Sequence, residues 1–335
     1  MLGVVSSFKF QVSNKRYSLS SPVRGKSSVE KMLSFKGFWC VVLVMMLSLQ
    51  GVQAQTGYPS GGDTLTVAFT GDILLDRGVR RQIEDHGIES IFNERADSVF
   101  RCCDIVVGNL ECPATTLHTP MMKRFVFRAE PEWLEALRLH GFTHLNLANN
   151  HSVDQGRRGL VDTWHNVEQY GMVPVGVGNT MAEAAQPVLL AEYPRKVLLL
   201  ASLQMPLEHF PYLPEAPSVN QESIDSMLVR IHALRVEDSS AVILVSLHWG
   251  QEHTLVPTPM QRRIAHRLIN AGADALICHH THTLQTIEEY HGKYIYYSLG
   301  NFIFDQERDI NRRTCIPQLK ITRDTLLVTN HFITI

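Results

Sequence analysis

The sequence has little cysteine and no long apolar run, and each absence excludes a class of protein. Its six cysteines among 335 residues show no repeated spacing, so they do not demand a disulfide framework. The longest apolar segment, residues 37–49, is shorter than the ~20 residues that a membrane-spanning helix needs. Low-complexity tracts are also lacking, and the average apolar content fits one large domain or two small ones.

The first 54 residues have the organisation of a targeting segment. A basic stretch at residues 31–36 precedes the apolar run, and Val52-Gln53-Ala54 follows the small-residue rule of a cleavage site. The pattern predicts a secretory signal peptide, with an uncleaved membrane anchor as the alternative. Met32 would serve as the start, which makes residues 1–31 an upstream extension. We therefore expect an exported protein, periplasmic or at the cell surface, with Gln55 as its first mature residue.

Excess positive charge is lacking as well, which argues against a nucleic-acid-binding protein. Residues 1–54 contain seven of the 31 Lys and Arg residues and one of the 33 acidic residues, so the remainder carries a formal charge of −8. A net acidic exported chain is not an obvious partner for nucleic acid. We divide the sequence into an extension plus signal peptide (1–54), a linker (55–63) and one domain (64–335).

Side chains that can ligate a metal follow five of the predicted strands. The strands and these residues are 64–70 with Asp72, 104–107 with Glu111, 142–148 with Asn150 and His151, 241–247 with His248, and 275–277 with His280 and His282. Helical patterns alternate with the strands, which predicts a layered α/β fold. In such folds the carboxyl ends of the strands form the usual ligand site.

Each of these signals has an ordinary structural alternative. Asp72 could cap a helix over residues 73–86, paired asparagines are common in turns, and a His-rich segment could be a surface turn. Five strand ends that all supply oxygen or nitrogen ligands, with no thiolate among them, are harder to explain in this way. The combination predicts a site for one or two ions of Mn, Fe or Zn.

The spacing of the ligands suggests roles for them. Glu111 would bridge two ions, one completed by Asn150, His248 and His280 and the other by Asp72 and His282. Two ions about 3.5–4 Å apart clamp an anionic group and lower the pKa of a bridging water. His151, followed three residues later by Asp154, is the predicted acid or charge stabiliser. Arg77 completes the predicted catalytic residues and, with Trp249, Glu252 and Asn301, would shape the substrate side. Asn301 and Asp305 could equally be turn residues that close the last hairpin.

Six short blocks together resemble the CapA family of bacterial poly-γ-glutamate capsule synthesis proteins, itself similar to calcineurin-like metallophosphoesterases. The blocks are Gly71-Asp72, Gly108 to Glu111, Ala148 to His151 with Asp154 and Gly156, His248-Trp249-Gly250, His280-Thr281-His282 and Tyr297 to Phe302. The resemblance runs from about residue 64 to residue 305. It implies a four-layer α/β/β/α sandwich, export or membrane association, and a role in synthesis, export or anchoring of the polymer together with membrane partners.

Two positions depart from the related patterns. The wider phosphoesterase superfamily has Asp-x-His after its first strand, and Leu74 stands at the histidine position here. The ion held by Asp72 and His282 would therefore lack one ligand, which puts ordinary phosphoesterase activity in doubt. Cys278 stands where the CapA pattern usually has glycine, with little expected effect.

Three functions remain open from the sequence. The first is metal-dependent hydrolysis or transfer on a polyanion, either poly-γ-glutamate or a related γ-glutamyl or phosphorylated cell-surface substrate. The second is a phosphoesterase for a small substrate. The third is a non-catalytic protein that binds or assembles the polymer. A complete ligand set for one ion argues mildly against the third.

Overall fold

The computed structural model describes residues 62–306 and 308–335, so the extension, the signal peptide and most of the predicted linker lie outside the described residues. In chain order the strands are β1 Thr64–Ile73, β2 Ile105–Leu110, β3 His144–Asn146, β4 Val173–Val175, β5 Val177–Gly178, β6 Val188–Ala191, β7 Val197–Leu203, β8 Ser218–Val219, β9 Val242–His248, β10 Ala275–His279, β11 Ile287–Tyr290, β12 Lys293–Tyr296, β13 Asn301–Ile303, β14 Arg313–Thr322 and β15 Leu326–Thr334.

Most of these strands form two mixed sheets. Sheet one has the order β15-β14-β1-β2-β3-β4, and β13 pairs with β1 outside this path. Sheet two has the order β11-β12-β10-β9-β7-β6, while β5 and β8 form a separate pair. In each sheet the central strands are parallel: β1, β2, β3 and β4 in sheet one, and β7, β9, β10 and β12 in sheet two.

Most of the helices connect parallel strands. They are α1 Arg77–His86, α2 Glu94–Phe100, α3 Trp133–Leu139, α4 Gly156–Gln169, α5 Met181–Ala184, α6 Ile224–Glu237 and α7 Pro259–Ala271, with 3₁₀ turns at Ile88–Ile91 and Asp309–Asn311. Their first residues follow capping chemistry. The Thr258 side chain and Gln261 form a reciprocal capping box at α7. Asp76 caps α1, so Asp72 belongs to β1 and is not a helix cap.

Alternation along the strands builds four layers. Val67 and Phe69 of β1 face the second sheet, whereas Ala68 faces a core that includes residues of α1, α2 and α3. On β9, Leu244 faces the first sheet and Val245 packs with residues of α6 and α7. A strand buried on both faces has a nearly continuous apolar sequence, as β9 shows. The predicted α/β/β/α sandwich is confirmed.

The predicted elements shift mainly at their ends. The strand predicted over residues 104–107 is Ile105–Leu110, and the one predicted over residues 142–148 is shortened to His144–Asn146. The first strand continues to Ile73, beyond the predicted Thr70, because β1 also pairs with β13 there. Among the residues that the structure describes, no helix is both long and apolar enough to cross a membrane.

Candidate metal centre

One group of side chains converges on His248 at the end of β9. Its Nε2 atom lies 2.7 Å from Asn150 Oδ1, 3.1 Å from His280 Nδ1 and 3.6 Å from Glu111 Oε1. His248, Glu111 and His280 are all buried. Four potential donor atoms at these separations match the spacing of ligands held at about 2.1 Å from one ion. These four side chains, brought from both sheets, fit the first predicted ion.

A second group adjoins the first through Glu111. His282 Nδ1 lies 3.3 Å from Asp72 Oδ2, and His282 Nε2 lies 3.9 Å from Glu111 Oε1. All three side chains are buried, and their ligand atoms lie within 4.8 Å of one another. Glu111 thus stands between the two groups, where a bridging carboxylate would be.

The fit of a cation is clearest at Glu111. Both of its carboxylate oxygens are buried, and neither accepts a hydrogen bond. Burial, followed by the charge of Asp72, raises the pKa of Glu111 well above its ordinary value. A buried carboxylate without partners is costly in the absence of a cation. A divalent ion between the two groups would supply the missing partner, so the residues fit a metal centre.

The neighbouring groups already have the charge states that metal binding requires. Burial would raise the pKa of Asp72, but a hydrogen bond with His282 and the charge of His279 outweigh it, so the pKa is lowered. Burial, with repulsion from neighbouring imidazoles, lowers the pKa of His248, and it lowers that of His280 to about 4. Neutral imidazole is the form that ligates metals.

The turn after β10 aims its histidines by unusual backbone conformations. His280 has a φ of 95° and His282 a φ of 55°, both in the left-handed region that non-glycine residues rarely adopt. An extended chain would have placed both side chains on one face of a strand. The turn instead directs His280 toward His248 and His282 toward Asp72. Backbone strain of this kind concentrates at functional sites.

His151 is held by a buried ion pair beside the candidate ligands. Its Nδ1 lies 2.8 Å from Asp154 Oδ2, and the other carboxylate oxygen lies 2.5 Å from Lys123 Nζ. Lys123 also donates to the backbone oxygen of Asn150 at 3.0 Å. Asp154 is fully buried, and its contact is with His151 rather than with solvent. Burial lowers the pKa of His151 although Asp154 opposes the shift.

Arg77 lies at the rim of the centre, between two aromatic rings. Its guanidinium is 5.1 Å from the centre of the Phe127 ring and 5.5 Å from that of Phe304. Phe127 packs on His151 at 4.3 Å between ring centres, and Phe304 packs on His282 at 4.6 Å. Arg77 also forms an ion pair with Asp305.

The other three residues predicted on the substrate side lie in different surroundings. Trp249 is buried in the core beside α6 and α7, where its indole N–H donates to Tyr297 O at 3.2 Å, so its position gives no contact with a substrate. Glu252 is half exposed in the loop after β9. Its negative charge contributes to the raised pKa of Glu111 and opposes the lowering of the pKa of His280. Asn301 is fully buried within the second group.

Several supporting residues were not singled out from the sequence. Asn109 donates to Asp72 Oδ1 at 2.8 Å and accepts from Asn146 and Asn149 at 3.1 and 3.3 Å. His279 Nε2 lies 3.0 Å from the backbone oxygen of Thr70 and so joins the two sheets below the centre. Asn109 lies within the block Gly108 to Glu111, and His279 directly precedes His280, so their positions in the sequence were the available signal.

The four-layer fold is metallophosphoesterase-like. Among solved structures, NAD nucleotidase of Haemophilus influenzae has a similar fold, with a TM-score of 0.52 and 11% identity over 81% of this chain and 50% of that chain. At this identity the likeness concerns the fold alone.

The chain belongs to the family of bacterial capsule synthesis proteins described as PGA_cap, whose family model matches residues 66–306. It is 31% identical to the PGA biosynthesis protein CapA of Bacillus subtilis (strain 168) over 265 residues, which cover 78% of this chain and 69% of that protein. It is 30% identical to the capsule biosynthesis protein CapA of Bacillus anthracis over 250 residues, which cover 73% of this chain and 61% of that protein.

Proposed function

We propose that this protein is an exported, metal-dependent hydrolase or transferase that acts on an anionic cell-surface polymer of the poly-γ-glutamate type. The observation that carries the proposal is the convergence of two buried ligand groups on Glu111, whose carboxylate oxygens have no hydrogen-bond partner. Family membership supports the choice of polymer, because the two CapA relatives are named for PGA and capsule biosynthesis.

The position of each residue in the centre suggests its role in the reaction. A divalent ion, when bound, would polarise the scissile group and supply a nucleophilic water near neutral pH. His151 stands beside the centre with Nδ1 directed to Asp154, which leaves Nε2 on the side of the substrate. In its protonated form, the imidazolium would give the Nε2 proton to the leaving group or stabilise developing charge. Lys123 balances the buried charge of Asp154 and thereby fixes the orientation of His151.

Arg77 supports an anionic substrate. Its side chain is one-third exposed, and it lies beside the two rings that cover His151 and His282. A guanidinium is suited to bind a carboxylate or a phosphate in a bidentate manner. An anionic group of the substrate would compete with Asp305 for Arg77 and so approach the centre at its rim.

The first experiment measures metal content and turnover in the same preparations. Protein beginning at Gln55 would be loaded with Mn²⁺ or Zn²⁺ and compared with Glu111→Ala, His248→Ala and His151→Ala. We expect Glu111→Ala and His248→Ala to lose metal and His151→Ala to keep it. Only the unmodified chain should shorten poly-γ-glutamate, or transfer its chain ends, at a full rate.

The outcomes separate the candidate functions. Failure of the unmodified chain to bind either metal would refute the catalytic proposal and leave a polymer-binding role. Loss of metal on His151→Ala alone would show that His151 is a ligand. Turnover of small phosphoesters without action on the polymer would establish the phosphoesterase alternative. Export would be tested separately, by locating the full-length chain in cell fractions and sequencing its N-terminus.

A further inference from the structure

We propose that Asn301 is a ligand of the second ion and replaces the histidine that the wider superfamily places at the position of Leu74. The inference rests on the proposed metal-dependent function and assigns one further residue to its centre. Asn301 was predicted from the sequence to contact substrate. The structure instead places it between Asp72 and His282, fully buried.

Strand pairing brings Asn301 to this position. Strands β1 and β13 run parallel, and Asp72 lies opposite Asn301 in their register. The backbone N–H of Asp72 donates to Gly300 O at 2.9 Å, and a Cβ atom at Gly71 would lie only 2.0 Å from that oxygen. The dipeptides Gly71-Asp72 and Gly300-Asn301 therefore pack side by side and present the Asp72 and Asn301 side chains at the same edge of the sheet.

The orientation of the Asn301 amide is determined by its partners. Its Nδ2 atom donates to Gln306 Oε1 at 3.2 Å and to Asn311 O at 3.4 Å, both acceptors. This assigns the amide nitrogen to the side away from the centre. The Oδ1 atom accordingly points inward, 3.0 Å from His282 Nδ1.

Leu74 cannot fill the ligand position itself. Its side chain is fully buried in the apolar core beside α1, and its backbone N–H donates to Ile303 O of the same strand β13. Without Asn301, the second group has only Asp72, Glu111 and His282. An amide oxygen is a suitable neutral donor for a hard divalent ion. Adding Asn301 gives the second group four protein ligands, as many as the first.

The test is a Mn²⁺ titration with ion stoichiometry measured for the unmodified chain, Asn301→Ala and Asn301→Asp. We expect two ions per chain in the unmodified protein. Asn301→Ala should retain one ion and bind the other at least about tenfold more weakly. Asn301→Asp should retain both, because a carboxylate oxygen replaces the amide oxygen. Gln306→Ala, which removes a contact of the amide nitrogen only, is the matched control and should retain both.

A crystal structure of the Mn²⁺-loaded protein distinguishes ligation from mere orientation of His282. Ligation requires Asn301 Oδ1 within about 2.5 Å of the ion. An oxygen bonded to His282 Nδ1 and remote from the ion would overturn the assignment, as would two ions bound with unchanged affinity by Asn301→Ala. A single ion in the unmodified chain, held by His248, would also overturn it but leave the proposed function intact. Absence of any bound ion in the unmodified chain would refute both proposals.

Discussion

At the scale of single residues, the centre depends on charges that are buried in compensating pairs. Lys123 and Asp154 are the clearest example, with side chains that are 4% and 0% exposed and charged atoms 2.5 Å apart. Asp154 accepts in addition from the backbone N–H of Phe127 at 2.7 Å. Such a pair contributes little net stability, but removal of one partner leaves the other charge buried and uncompensated.

Lys123→Met should therefore lower the free energy of unfolding by about 3–5 kcal/mol. The reason is the isolated Asp154 carboxylate, since methionine preserves most of the volume of the lysine stem. Chemical denaturation of the metal-free protein measures the change. Arg267→Met is the matched control, because Arg267 pairs with Asp225 at the surface, and its loss should cost under about 1 kcal/mol.

The double variant Lys123→Met with Asp154→Asn gives a further check. Neutralising Asp154 should recover a large part of the stability that Lys123→Met removes. Equal stability of Lys123→Met and the Arg267→Met control would contradict the buried-pair interpretation.

Acid sensitivity is the second prediction at this scale, and it concerns His144 on β3. Burial lowers the pKa of His144 from 6.5 to about 4. His144 takes up a proton near pH 6.5 in the unfolded chain and only near pH 4 in the folded chain. Its contribution to stability is therefore fully present above pH 6.5 and is lost as the pH falls from 6.5 to about 4. The loss amounts to about 3 kcal/mol.

His144→Gln should remove this part of the pH dependence, because glutamine does not titrate and can replace the contact of the imidazole with Thr143 Oγ1. Urea denaturation of the unmodified chain and of His144→Gln at pH 7 and pH 4.5 would measure the change in pH dependence. His165→Gln, at an exposed position, controls for loss of a histidine. An undiminished loss of stability on acidification in His144→Gln would assign the effect to other groups.

At the scale of elements, Gly300 lets the backbone before β13 lie close to the first residue of β14 and to the segment at Leu284. Its φ is 77°, and an added Cβ would lie 2.6 Å from Arg313 O and 2.9 Å from Leu284 N. Both atoms belong to backbone and cannot turn away. Gly292 in the β11–β12 hairpin has a similar φ of 71°, but nothing lies within 4 Å of its Cβ position.

Gly300→Ala should consequently destabilise the protein by about 3–5 kcal/mol, through left-handed strain and overpacking together. Gly292→Ala bears only the strain, about 1–2 kcal/mol. Thermal or urea unfolding of the two variants measures the difference, which isolates the steric term. Equal losses would mean that the backbone around Gly300 can move away from Arg313 and Leu284 without cost.

Most of the elements could be predicted from the sequence, because each has its own local signal. Apolar alternation and β-branched residues mark β1, and the capping residues Thr258 and Gln261 mark the beginning of α7. The pairing of β13 with β1 could not be predicted in this way. Asn301 and Asp72 are more than 200 positions apart, and no local propensity encodes a contact of that range.

The same distinction holds within the centre. The ligand types and their places after strands could be predicted, since those depend on local sequence. Lys123 and the burial of Trp249 could not be, because they depend on how a long loop and a helix layer pack against the sheets. Periodicity alone predicted only a layered α/β fold. The four-layer arrangement came from the resemblance to a family.

At the scale of the whole molecule, the centre is where the two sheets meet, so metal binding would be linked to the stability of the fold. Asp72, Glu111 and Asn109 come from sheet one and the segment that follows it, while His248, His280 and His282 come from the ends of β9 and β10. Each sheet alone supplies an incomplete set of ligands. Binding of an ion would therefore stabilise only the assembled fold, by about 2.7 kcal/mol at a free concentration of 100 times the dissociation constant.

Glu111→Gln should separate this linkage from the stability of the fold itself. In the metal-free protein Glu111 is a buried acid with a raised pKa, so between its unfolded and folded pKa values it lowers stability as the pH rises. Glutamine removes that penalty, and we expect metal-free Glu111→Gln to be more stable by about 1–3 kcal/mol at pH 7.

The same variant should lose the stabilisation that Mn²⁺ or Zn²⁺ gives the unmodified chain, because both ligand groups share Glu111. Thermal unfolding with chelator and with excess metal measures both effects. Glu289→Gln, at an exposed position on β11, controls for loss of one acidic charge and should change stability by less than about 0.5 kcal/mol. A variant that is less stable without metal, yet still stabilised by it, would show that Glu111 supports the fold rather than the ions. Greater stability without metal and none gained from it would identify Glu111 as a residue kept for function at a cost to the fold.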